Sequence, residues 1–178
     1  MMLLISFSLN PNSKSYKAIK YAGNYLKSID SDFKFIDMRE YELPFYNGID
    51  NVLHNDRVKE LFNIFNKVEK IIIATPVYNF DVNAVLKNFI DWLSVIRYKN
   101  KLLHRQVVGI IGAMGSEKSF TSLLPSLTNF QFSLGFYLLP KIVMCVPMDF
   151  IEEGNKVNIN LENRIKSLCD TMLSCVIN

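Results

Sequence analysis

The chain has 178 residues, of which 49% are apolar and 21% charged, with a net charge of +3. That length suits a single domain, 1–178, able to bury roughly 70% of its unfolded surface without a staple, and the composition excludes a disordered or low-complexity chain. A pI of 8.7 with basic residues scattered singly excludes the clustered basic face of a nucleic-acid binder.

Residues 2–8 (MLLISFS) read as a buried parallel strand, almost continuously apolar. A polar loop follows over 9–15. Residues 16–29 have helical spacing, with Ile19, Ala22, Tyr25 and Leu26 on one face. Residues 32–38 are a more polar strand near an edge, ended by Pro44. Residues 52–68 are helical, with Val58, Leu61, Phe62 and Phe65 aligned. The strongest strand is 70–75 (KIIIAT), which Pro76 is expected to stop. A helix follows over 82–94, a buried strand over 106–112 and a helix over 120–132, where Pro125 moves the start or kinks the axis. A fifth strand lies within 137–146, and an amphipathic helix over 161–176 ends the chain. No stretch reaches 18 apolar residues, so no membrane span is expected. Strict alternation of strand and helix predicts βαβ units. The expected fold is a flavodoxin-like three-layer sandwich: a five-stranded parallel sheet in the order 2-1-3-4-5, with helices on both faces.

Ligands of such sheets sit beyond the carboxyl ends of the strands, where strand order reverses. After the first strand, Ser8, Asn10, Ser13, Lys14 and Ser15 crowd a helix N-terminus, which suits an anion. Simple N-capping accounts for one of them. After the third strand, Pro76, Val77, Tyr78 and Asn79 suit a flat heterocycle, the alternative being a turn with Asp81 or Asn83 capping the next helix. After the fourth strand, Gly112, Gly115 and Ser116 permit close backbone approach. That segment narrowly misses the P-loop pattern, because Glu117 stands where its second Gly belongs.

Three segments carry a family resemblance. Residues 75–94, TPVYNFDVNAVLKNFIDWLS, look like the motif T-P-x-Y-N…L-K-N-x-I-D-W-L-S of the NADPH-dependent FMN reductases, a family that includes quinone, azo-dye and chromate reductases. The loop 7–15 resembles the family's G-S-x-R-x-x-S-x-N, and 109–130 resembles its Gly-rich loop and following helix. Together the similarity covers 3–146. Phe7 replaces the motif's Gly, Asn10 its Arg and Ser15 its late Asn, and the third loop lacks a Gly–Gly pair.

The resemblance implies an FMN-dependent oxidoreductase with NADPH or NADH as co-substrate. FMN phosphate would rest on Ser8, Asn10, Ser13, Lys14, Ser15 and the helix dipole. The ring would lie against Pro76, Val77, Tyr78 and Asn79, with Gly112, Gly115 and Ser116 at its other edge. Hydride would pass to the flavin and on to an electron-poor acceptor in ping-pong fashion, with the chemistry carried by FMN and no catalytic side chain. The alternatives are a flavodoxin-like electron carrier, against which the +3 charge counts, and a family member that has lost FMN. A phospho-acceptor receiver would need acidic strand ends that are absent here.

No metal site is expected from the isolated His54 and His104. Cys145, Cys169 and Cys175 have no C-x-x-C spacing, and the N-terminus lacks a basic leader, so a cytoplasmic location is expected. Val82, Val85, Leu86, Phe89, Ile90, Trp92, Leu93, Val95 and Ile96 place apolar residues on more than one side of one helix. That excess, and the resemblance, predict a homodimer through 82–96.

Overall fold

The structure is a computed structural model. It describes residues 1–49, 56–100, 106–115, 123–151 and 156–176, with the backbone alone for 97–100. Strands β1 (Met2–Ser6), β2 (Phe33–Asp37), β3 (Lys70–Tyr78), β5 (Val107–Ala113) and β6 (Tyr137–Cys145) form the parallel sheet. Helices α1 (Lys14–Ser28), α2 (Asp56–Lys67), α3 (Ala84–Asn100), α4 (Leu123–Leu134) and α5 (Ile159–Ser174) connect and flank them. The order is β2-β1-β3-β5-β6, the expected one. Two features were not expected: β4 (Asp81–Val82), antiparallel to β3, and a separate hairpin of β7 (Phe150–Ile151) and β8 (Lys156–Val157).

Period-two alternation sorts the strands' side chains onto two cores. Leu3, Ile5, Ile71, Ile73, Val108 and Ile110 face α2, α3 and α4. Met2, Leu4, Ile72, Ala74 and Ile111 face α1 and α5. The first core is centred on Phe89, with Phe62, Phe65 and Phe7 at 5.0, 5.0 and 5.2 Å between ring centroids. Offset and edge contacts of this kind add to area burial.

Several boundaries moved for physical reasons. Pro76 does not stop β3. Ala74 accepts from Phe7 N–H on the β1 side, so two residues later the missing N–H of Pro76 faces the side where β1 has ended. The strand therefore continues to Tyr78, still paired with β5 through Pro76↔Ala113. Pro125 lies in the first turn of α4, where its missing N–H has no helical partner. The expected helix starts at 52 and 120 fall outside the described residues.

The apolar excess on α3 is covered from within the chain. Leu86, Phe89, Ile90, Trp92 and Leu93 are all buried, and Val82, Val85 and Ile96 pack on the same core. The cover is the segment 41–46. Trp92 Nε1–H and Asn88 Nδ2 donate to the Pro44 carbonyl at 2.7 and 3.0 Å. Tyr46 N–H donates to Asn88 Oδ1 at 2.9 Å, and the Tyr46 ring meets Trp92 edge-on at 5.0 Å. Of the apolar set that motivated a dimer through 82–96, Val82, Val85, Val95 and Ile96 stay half-buried and the rest is buried.

Candidate functional site

The carboxyl ends of β1, β3 and β5 open on one edge of the sheet. Beyond β1, Ser6, Ser8 and Ser15 are fully buried and Ser13 nearly so. Ser13 is the N-cap of α1, its Oγ accepting from Tyr16 N–H at 3.1 Å, and it lies 3.3 Å from Ser15 Oγ. Capping thus explains one side chain. Asn10 N–H donates to Ser8 Oγ at 3.3 Å, and Asn10 Oδ1 accepts from Asn12 N–H at 2.9 Å. Ser8 and Asn10 brace the loop, and Ser13, Lys14 and Ser15 open the helix. The N–H groups of Lys14 and Ser15 are the first two of α1 and have no intrahelical acceptor. The first turn contains no acidic residue.

These donors fit a phosphate ester: hydroxyls, free N–H groups, a positive helix end and one lysine, with no carboxylate among them. Ser6 Oγ, on the strand face that α1 covers, is buried without a partner among the described residues, a further polar atom at this end of β1. The bulk of Phe7 does not fill the cradle. Its ring lies on the opposite face of the sheet against Phe89.

Beyond β3 the chain makes a bracket. Asn83 Nδ2 donates to the Phe7 carbonyl at 2.6 Å, while its Oδ1 accepts from Leu86 N–H at 3.1 Å and from Thr75 Oγ1 at 3.3 Å. One buried amide thus caps α3 and ties the end of β1 to the end of β3. The capping alternative for Asn83 is borne out, and the tie to Phe7 is new. Pro76 is buried, Val77 half-buried, and Tyr78 and Asn79 exposed at the tip of the β3–β4 hairpin.

The third loop is less complete. Ser116 lies outside the described residues. Gly115 is open to solvent, with nothing within 4 Å of where a Cβ would sit. Gly112 does not offer its bare face to a ligand: a Cβ there would meet Met144 Cε at 2.6 Å and Sδ at 2.7 Å. Its missing side chain makes room for the neighbouring strand.

Sequence reasoning did not find a cleft of about 550 Å³ beyond β5 and β6, lined by Met114, Met144, Val146, Asp149, Asn158 and Arg164 among others. Arg164 donates to Met144 O at 2.6 Å and to Asp149 Oδ1 at 3.1 Å. Asp149 also accepts from Val146 N–H at 2.9 Å. The nearby Cys145 thiol is pushed up to about 12, first by burial and then by Asp149. Burial likewise pushes Cys169 up to about 12. Both stay protonated thiols at neutral pH and supply no nucleophile. Among the described residues no cluster of three His, Cys, Asp or Glu could hold a metal, and no helix is long and apolar enough to cross a membrane.

An open, doubly wound parallel sheet in this order, with helices on both faces, is a flavodoxin-like fold. The family model described as NADPH-dependent FMN reductase matches residues 1–150, and the chain belongs to that family. It is 32% identical over 165 residues to an FMN-dependent NADH:quinone oxidoreductase of Metamycoplasma arthritidis, covering 80% of this chain and 83% of that protein. Among solved structures it resembles an NADH:FMN oxidoreductase in its apo form, with a TM-score of 0.79 at 21% identity over 99% of this chain and 90% of the other. It also resembles the flavoenzyme NAD(P)H:(acceptor) oxidoreductase FerB of Paracoccus denitrificans, with a TM-score of 0.74 at 17% identity over 97% and 96% of the two chains. The family is one of oxidoreductases that work with FMN and a nicotinamide donor.

Proposed function

We propose that this chain is an FMN-dependent NAD(P)H oxidoreductase that passes electrons to quinones or similar flat, electron-poor acceptors. The observation that carries the reading is the cradle at the start of α1: clustered donors, a helix N-terminus and no opposing carboxylate. FMN, when bound, supplies the redox chemistry. Lys14 and Ser15 N–H groups and the hydroxyls of Ser13 and Ser15 hold the phosphate, with Ser8 and Asn10 shaping the loop around it. Pro76, Val77, Tyr78 and Asn79 give the ring an apolar edge and backbone donors, and Gly115 borders its far side. Gly112 acts there through packing alone. Donor and acceptor use the site in turn, in ping-pong order.

One domain spans 1–178. The assembly is a homodimer through the outer side of α3, with the pocket completed by the partner. Its support is narrower than the sequence implied, since of that apolar set only Val82, Val85, Val95 and Ile96 are not buried. Light scattering at micromolar concentration tests it, and a fully active monomer refutes it. A cytoplasmic location goes with three unpaired thiols.

The decisive experiment is anaerobic. NADH or NADPH should bleach the flavin of the FMN-loaded protein, and a quinone should restore it. A flavin reduced by dithionite but by neither nicotinamide would identify an electron carrier instead. A chain that takes up no FMN would refute the reading altogether.

A further inference from the structure

At Phe80 the residue disagrees with its backbone. A two-residue turn joins β3 to β4, closed by the pair Tyr78↔Asp81. Both turn residues have positive φ, 49° at Asn79 and 65° at Phe80. Such hairpin turns favour Asn followed by Gly. Asn79 obeys that preference. Phe80 stands where glycine belongs, in a region that side chains with a Cβ enter under strain.

Burial does not compensate for that strain. Phe80 is 64% exposed and its neighbour Tyr78 is 53% exposed. Nor is the turn loosely held. Asp81 Oδ1 accepts from Val82 N–H at 2.7 Å and from the Ser126 hydroxyl of α4, and Asn83 anchors the base of the hairpin to β1 and α3. The turn lies beyond β3, the central strand, at the end of the sheet where its order reverses. A strained, exposed aromatic held on a braced hairpin at a ligand-binding edge serves function rather than folding.

We propose that Phe80 is a specificity-determining residue on the acceptor side of the site, whose ring stacks on a flat aromatic acceptor. This rests on the oxidoreductase reading above. An aromatic face prefers an offset, parallel neighbour. It therefore favours fused-ring quinones over acceptors without an aromatic plane, and it gives one site two classes of acceptor with different affinities. Asn79, which satisfies the turn, needs no such role.

The test uses the FMN-loaded full chain, Phe80→Gly and Phe80→Tyr, with 1,4-naphthoquinone and ferricyanide as acceptors. Phe80→Gly gives the turn its preferred residue, so Tm should not fall and FMN affinity should hold. The expected result is a rise of at least fivefold in KM for naphthoquinone relative to KM for ferricyanide. Phe80→Tyr should restore the wild-type ratio. An unchanged ratio in Phe80→Gly, or equal movement of both KM values, overturns the proposal while leaving the oxidoreductase reading intact. A wild-type chain that binds no FMN, or whose flavin no nicotinamide reduces, overturns both.

Discussion

Asn83 concentrates three tasks in one buried side chain, and its removal should expose all three. In Asn83→Ala the cap of α3 is lost, which costs about 1 kcal/mol. The Phe7 carbonyl, bonded at 2.6 Å and buried beneath the loop, loses its donor, which costs about 1–3 kcal/mol more. Thr75 Oγ1 keeps its second acceptor, the Pro76 carbonyl at 3.1 Å, and adds little. The sum is about 3 kcal/mol, or a fall in Tm of roughly 6–12 °C for a chain of this size. Asn83→Asp separates the tasks, because Asp caps as well as Asn but has no donor for Phe7. If the tie between β1 and β3 matters, Asp recovers only the cap, about 1 kcal/mol, and stays about 1–3 kcal/mol below the wild type. Denaturant titration followed by intrinsic fluorescence measures both variants. Wild-type stability in Asn83→Asp would show that Asn83 is only a cap and that the bracket contributes nothing.

Other expectations follow from the same geometry. Ser13→Ala should weaken FMN binding by about 1–2 kcal/mol, the scale of one charge-assisted hydrogen bond; a flavin titration of Ser13→Ala with unchanged affinity would refute the phosphate assignment. Phe89→Ala removes the ring that three others touch at 5.0–5.2 Å and should cost about 3–5 kcal/mol by denaturant titration. Cys145 and Cys169 have folded pKa values raised from 9.0 to about 12, so their contribution is complete below pH 9. It is lost as pH rises from there towards 12, because the unfolded thiols release their protons first. A Cys145→Ala, Cys169→Ala variant should lose part of that alkaline decline, and an unchanged pH–stability slope would count against the burial of both thiols.

The layers of the fold were legible because central parallel strands announce themselves as continuous apolar runs. The run 70–75 is the clearest case. What lay hidden was decided by backbone atoms. Pro76 reads as a stop, yet whether a proline interrupts a sheet depends on which neighbour its missing N–H would have faced, and that is a matter of register. The cover on α3 is similar. Trp92 and Asn88 are held by the carbonyl of Pro44, an atom every residue possesses, so nothing in the sequence singled out 41–46 as the partner of α3. The surplus of apolar residues was real, and most of it is taken up inside the chain, with Val82, Val85, Val95 and Ile96 left half-buried.

The candidate site was legible where side-chain chemistry exceeds what folding requires. Four hydroxyl and amide residues at one helix start are more than a cap can use, and the structure leaves Ser13 and Ser15 together at the start of α1 beside two free N–H groups. Glycine gave a weaker signal because an empty side chain is the same signal for a ligand and for a neighbour. Gly112 reads as room for a cofactor, while in the structure the space a Cβ would take there is filled by Met144. Phe80 is the converse. In one dimension it is an ordinary aromatic after Asn79, and only its φ of 65° shows that a glycine position is occupied by a ring. Residues that satisfy their local backbone can be explained by folding alone. Phe80 does not satisfy it, and this disagreement between side chain and backbone separates an exposed aromatic that is incidental from one that is held in place for use.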